Sequence, residues 1–80
     1  MALGRITDEH VLDAIVERAG DGFCLAADVL PDLPRRTHAD RRRALHRCVR
    51  GGLVIERRGP DGRAYVALAS EGWRRRRDAA

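Results

Sequence analysis

Lysine, asparagine and glutamine are missing from this chain, so all sixteen basic residues are arginine. A GC-rich coding sequence would produce such a bias, but the physical consequence is the same whatever its origin: every cation is a planar, permanently charged fork. Hydroxyl groups are scarce too. Thr7, Thr37, Ser70 and Tyr65 are the full set. The first three are better explained as helix caps, and no nucleophile, base and acid can be grouped, so the chain is not expected to be an enzyme. None of the rings of Phe23, Tyr65 and Trp73 is expected to be exposed for stacking on unpaired bases, which argues against RNA. Cys24 and Cys48 are too few for a disulfide framework and read as reduced core residues. Together with His38 and His46 they lack metal-ligand spacing, so neither metal nor cofactor is expected. No apolar run approaches the ~18 residues of a membrane span, and Met1 to Ile6 lacks the apolar stretch of a secretory signal. These absences predict a cytoplasmic, nucleoid-associated location, with no membrane partner and no small-molecule ligand in evidence.

What is present is polarity of charge. Residues 1–34 carry two arginines against seven carboxylates, a net −5, whereas residues 35–80 carry fourteen arginines against five, a net +9. The overall +4 conceals this split. A one-sided positive field is the footprint expected for a polyanion, most often nucleic acid. Eighty residues, 44% apolar and 35% charged, suit a single folded domain. A domain of that size buries only about 60–65% of its unfolded surface, so its core has to be economical.

Thr7 is placed to cap a first helix, with Asp8 and Glu9 in its first turn and Ile6 and Val11 spaced as a hydrophobic staple. Leu12, Ile15, Val16 and Ala19 recur on one face, leaving Glu9, Asp13 and Glu17 outward, and Gly20 and Gly22 stop the helix. His10 reads as solvent-exposed. Phe23 to Leu25 is a short apolar step, enough for one rung of sheet. Ala26 to Leu30 can form a short second helix limited by Pro31 and Pro34. Thr37 then caps a third helix running to about Arg50, with Asp40 three residues on and Gly51–Gly52 as terminator.

In the third helix Leu45, Cys48 and Val49, flanked by Ala44, form the face to be buried. Ala39, Arg43, Arg47 and Arg50 stand opposite, with His46 at the margin. Arg43 and Arg47 repel one another at i,i+4, costing a few tenths of a kcal/mol unless an anion lies between them. Beyond the glycines, Leu53–Arg58 and Arg63–Leu68 are strand-like, and Gly59-Pro60-Asp61-Gly62 is a turn signal, which predicts a hairpin. Leu53 and Ile55 are expected to face inward, like Val66 and Leu68, with Arg57, Arg58 and Arg63 near the tip. Ser70 is placed to cap a last short turn bearing Trp73, packed on the first helix, before a frayed basic tail of Arg74 to Arg77.

The order helix, short helix, helix, hairpin resembles a winged helix-turn-helix domain. The residues that carry the likeness are Ala44-Leu45-His46-Arg47-Cys48-Val49-Arg50-Gly51-Gly52-Leu53-Val54 and Val66-Ala67-Leu68-Ala69-Ser70-Glu71-Gly72. They are similar to the recognition-helix end, the Gly-Leu-Val lead-in to the wing and the Val-x-Leu-Thr-x-x-Gly exit of bacterial regulators of the MarR and PadR kind. Ala69 replaces the usual threonine, and the long dimerisation helices of those regulators have no counterpart here. The resemblance implies an α+β winged helix of three helices and a two-stranded wing, with room for a one-rung third strand at 23–25. It divides the chain into an N-terminal arm (1–6), the winged domain (7–72) and a basic C-terminal tail (73–80).

The function it implies is sequence-specific binding of double-stranded DNA, by a small transcriptional regulator or an excisionase-like architectural factor; two copies on DNA are allowed. The third helix would enter the major groove, with Ala39, Arg43, His46 and Arg47 at base edges. Arg35, Arg36, Thr37, Arg42 and Arg50 would hold backbone phosphates, the wing arginines Arg57, Arg58 and Arg63 would contact adjacent backbone or minor groove, and Arg74, Arg75, Arg76 and Arg77 would add phosphate contacts. Without asparagine or glutamine for adenine, readout leans on arginine and predicts G·C pairs in the site. The alternative is a winged-helix protein-interaction module using the acidic first helix.

Overall fold

The computed structural model describes residues 5–79, so residues 1–4 of the expected N-terminal arm and Ala80 lie outside it. In chain order the elements are α1 (Asp8–Ala19), β1 (Cys24–Leu25), α2 (Ala26–Val29) continued by a 3-10 turn (Leu30–Asp32), α3 (His38–Arg50), β2 (Val54–Arg58), β3 (Ala64–Leu68) and α4 (Ser70–Ala79). The chain is thus α+β. The described residues form four α-helices and a three-stranded antiparallel sheet in the order β1-β3-β2.

Both long helices begin as their caps dictate. Thr7 Oγ1 accepts the backbone N–H of His10, and His10 Nδ1 accepts that of Thr7, so a histidine fills the place a glutamate usually takes in a capping box. The reading of His10 as merely exposed missed this role. Thr37 Oγ1 accepts from Asp40 N–H to start α3. Asp40 does not reciprocate; its carboxylate turns to arginines instead.

α1 is the central element, and α3, α4, β3 and the β1–α2 corner all pack on it. Val11, Leu12 and Ile15 meet Val29, Leu45, Cys48 and Val66 in a core from which buried charge is absent among the described residues. The alternation in β2 differs from expectation. The strand begins at Val54, paired with Leu68, so Val54 is buried while Ile55 is 39% exposed. Leu53 is buried ahead of the strand, and one residue of offset moves each following side chain to the opposite face. Cys24 pairs with Val66 on the core face, which leaves Phe23 and Ile55 on the outer face of the sheet. The Arg57 guanidinium covers the exposed Phe23 ring at 5.5 Å.

The hairpin turn follows its sequence. Gly62 N–H bonds to Gly59 O across Pro60 and Asp61, and Gly62 takes φ 80°, which favours glycine. Asp61 accepts from Arg63 N–H and from the Tyr65 hydroxyl. The Arg63 amide and then the tyrosine hold its carboxyl below the usual range, and the same bond raises the Tyr65 pKa.

The C-terminal segment corrects the expectation of a short turn and a frayed tail. Residues 70–79 form one continuous helix, with Ser70 inside its first turn and Ala69 O accepting from Trp73 N–H. Gly72 makes this docking possible, because any Cβ there would run into the carbonyl of Leu53. Trp73 packs against the core cluster.

Candidate nucleic-acid interface

The buried stripe of α3, Ala44, Leu45 and Cys48, faces the core, and geometry then forces the arginines outward. Ala39, Arg42, Arg43, His46, Arg47 and Arg50 line one open, shallow depression along the exposed side of the helix. The grouping expected of these residues is therefore present. Ala39 presents only a methyl group to this depression, and His46, two helical turns further along, is exposed in its lining.

The arginines of this face differ in how they are held. Arg43 is 76% exposed, with Nη1 3.1 Å from Asp40 Oδ1, which steers the guanidinium without covering it. Arg36 Nε stands 3.7 Å from the other oxygen of Asp40, an ion pair too long for a hydrogen bond. Arg35, Arg42 and Arg50 are exposed. Thr37 accepts from Asp40 N–H as a cap and retains its own hydroxyl proton to donate.

Arg47 departs from the expectation that it points at base edges. Its Nε donates to Asp8 Oδ1 at 3.0 Å and its Nη2 to the carbonyl of Ile6 at 2.7 Å, so the side chain lies back against the start of α1. Asp8 also pairs with Arg75 and accepts weakly from the Cys48 thiol at 3.6 Å. Burial by itself would raise the Asp8 pKa, but the hydrogen bond and charge of Arg47 prevail and hold it below the usual carboxylate range. Cys48 moves the other way. Burial, and then the Asp8 charge, push its pKa up to about 12, so it stays a neutral thiol. The i,i+4 repulsion of Arg43 and Arg47 is thereby answered by two separate carboxylates rather than by an external anion.

In the hairpin, Arg58 Nη1 donates to Gly62 O at 2.9 Å, stiffening the turn, while Arg57 is drawn over Phe23 and Arg63 is exposed at the tip. The C-terminal arginines are not one patch. Arg74 pairs with Glu71, Arg75 with Asp8 and Glu9, and Arg76 with Asp13; Arg77 is exposed. The acids of α1 are thus largely engaged by the chain's own arginines, although the sequence had suggested a free acidic face.

Two further arginines at or beside this face were not singled out by sequence. Arg41 Nε donates to Pro34 O and ties α3 to the preceding loop. Arg5 joins Arg36, Arg43 and Arg47 around a second, smaller cleft, although it belongs to the acidic part of the sequence. No spacing rule could have placed it there, because the contact depends on how the segment before α1 crosses α3.

Chemically, the face offers forked donors for phosphate oxygens or purine edges. Asp40 lies at its margin. No protein-family model matches the chain, and no curated protein or solved structure matches it either.

Proposed function

We propose that the chain is a winged-helix protein that binds double-stranded DNA, with α3 in the major groove and the β2–β3 hairpin as the wing. The observation that carries this reading is the exposed face of α3, where Ala39, Arg42, Arg43, His46 and Arg50 gather with Asp40 as the neighbouring acid. The element order and the three-stranded sheet agree with it.

Arg43 is the base reader of choice, since Asp40 aims its fork while leaving it exposed, and its match is O6 and N7 of guanine. Ala39 allows close approach and His46 lies alongside. Arg35, Arg42 and Arg50, with the Thr37 hydroxyl, suit backbone phosphates, as do Arg58 and Arg63 at the wing. Arg47, committed to Asp8 and Ile6, is assigned away from base edges. The biological setting is a small transcriptional regulator or an architectural factor of recombination.

The test is a random-sequence duplex selection repeated at two salt concentrations. Contact with about five to seven phosphates gives a log-log salt slope of roughly −4 to −6, and the selected site carries G·C pairs opposite Arg43. Binding indifferent to salt, or a selected site with only A·T pairs in the major-groove positions, sinks the reading.

A second reading, a protein-interaction module, is favoured by one observation: Phe23 at 45% and Ile55 at 39% exposure share the outer face of the sheet. It prevails if Arg43→Glu leaves cellular function intact while Phe23→Ser with Ile55→Ser abolishes it.

A further inference from the structure

The segment before α1 crosses α3 at a cleft of about 150 Å³ lined by Arg5, Arg36, Arg43, Arg47 and Asp40, with Ala44 and Ile6 as its apolar wall. Four guanidinium groups gather there around Asp40. Arg47 is answered by Asp8 and Arg43 by Asp40, so the excess positive charge is that of Arg5 and the loosely paired Arg36, and a further anion offsets it. Arg47 explains why the cleft exists. Its bonds to Asp8 and to the Ile6 carbonyl clamp the chain against α3, which delivers Arg5 to the basic side of the molecule. Two hydrogen bonds use only Nε and one N–H of Nη2, so the Nη1 donors of Arg47 remain available in a fixed position. Arg36 is incompletely satisfied, at 3.7 Å from Asp40.

We infer that Arg5, Arg36 and the clamped Arg47 form a seat for one backbone phosphate of duplex DNA, at the flank of α3. The inference rests on the reading of α3 as the groove-binding helix, and it assigns Arg5 and Arg47 a role that the first-helix side of the sequence does not suggest. A phosphodiester fits better than a carboxylate. Asp40 already supplies one carboxylate and satisfies Arg43 while leaving Arg36 short, and the two non-bridging oxygens of a phosphodiester, which share one negative charge, diverge from a tetrahedral phosphorus and can accept from two forks on different sides. Asp40 keeps its hold on Arg43, so the phosphate seat and the base reader operate side by side. The seat fixes the register of the helix along the groove and carries no sequence information itself.

The experiment uses the whole chain and a duplex carrying the selected site. Arg5→Ala and Arg36→Ala, both at exposed residues, are titrated by fluorescence anisotropy across a salt series. Each is expected to weaken binding several-fold, equally on the selected and on scrambled duplexes, and to reduce the salt slope by about 1. A set of duplexes with single methylphosphonate linkages locates the phosphate: one linkage weakens the parent protein and produces no further loss with Arg36→Ala. If the parent protein binds DNA but neither substitution moves the slope, or if no linkage couples to Arg36, the seat is wrong while the DNA reading stands. Failure of the parent protein to bind DNA overturns both. Saturable binding of inorganic phosphate at the same arginines, without any methylphosphonate coupling, assigns the cleft to a free phosphate ligand and overturns the backbone assignment.

Discussion

Arg47 of α3 and Asp8 of α1 are joined by a 3.0 Å bond across 39 residues of sequence, and the same guanidinium reaches the Ile6 carbonyl at 2.7 Å. An arginine that helical periodicity places on the outward face of α3 is thus also a strut between two helices. The carboxylate it holds is shared with Arg75 of α4, so Asp8 is the point where three helices meet.

This separates two arginines that look alike in sequence. Arg47→Ala removes two hydrogen bonds and leaves Asp8 with Arg75 and the Cys48 thiol, a loss of about 1–2 kcal/mol, or roughly 5–15 °C in Tm for a domain of this size. Arg43→Ala breaks only an exposed pair with Asp40 and changes stability by less than about 0.5 kcal/mol. Thermal unfolding followed by circular dichroism decides it; equal Tm values for the two variants would remove the distinction.

Asp8 also sets a pH dependence. Its folded pKa is depressed below the ordinary 3.8, so the ionised carboxylate stabilises the fold. That stabilisation is fully present above the unfolded value and is lost as pH falls through the folded one. Asp61, depressed by its bonds to Arg63 and Tyr65, acts in the same direction. Asp8→Asn is therefore less stable than the parent at neutral pH, and the gap closes progressively below pH 3.8. A gap of constant size throughout the acid limb contradicts this assignment.

Gly72 is expected to tolerate no side chain. In Gly72→Ala the added methyl meets the Leu53 carbonyl, which is itself held by Ala69 N–H, so α4 must shift or the hairpin lead-in must distort. Overpacking of this kind costs about 1–3 kcal/mol. Loss of Tm together with lost protection of α4 amides in hydrogen exchange is the expected result; an unchanged Tm shows that α4 is not docked there.

Cys48 offers a probe of global opening. Buried, and with its pKa pushed up to about 12, it has almost no thiolate at mildly alkaline pH. Iodoacetamide should therefore modify half-buried Cys24 first, and Cys48 only at the rate of unfolding. Simultaneous labelling of both thiols in the folded protein would falsify the burial of Cys48.

A neutralised variant of Asp40 distinguishes steering from competition on α3. Asp40→Asn removes a negative charge from the proposed interface, so overall DNA affinity rises several-fold, while the preference for guanine opposite Arg43 declines because the fork is no longer aimed. Both are read from binding curves on matched and mismatched duplexes. A gain in affinity with undiminished preference means that Asp40 does not orient Arg43.

Much of the architecture was legible because its causes are local. Thr7 and Thr37 cap where a hydroxyl can reach a free amide, the apolar stripe of α3 follows from a 3.6-residue repeat, and Pro60 to Gly62 turn because their φ angles leave little choice. The charge split between the two parts of the chain can be read by counting. The docking of α4, by contrast, was hidden behind four consecutive arginines, which carry no apolar period. Its anchors are Trp73 packed against the core and ion pairs to Asp8 and Asp13, both more than sixty positions away in sequence.

The sequence by itself determined the two long helices, the hairpin, the burial of Leu45 and Cys48, and the accumulation of arginine on α3. Only the tertiary structure decided what each arginine does with its charge. Arg43 is aimed by a neighbour three residues away, whereas Arg47, Arg75 and Arg76 answer to carboxylates of α1, and Arg5 reaches α3 through the clamp at Ile6. The physical reason is range. Caps, turns and periodicity act within a few residues along the chain, but an ion pair depends on distance in space, and that distance exists only once the helices have packed.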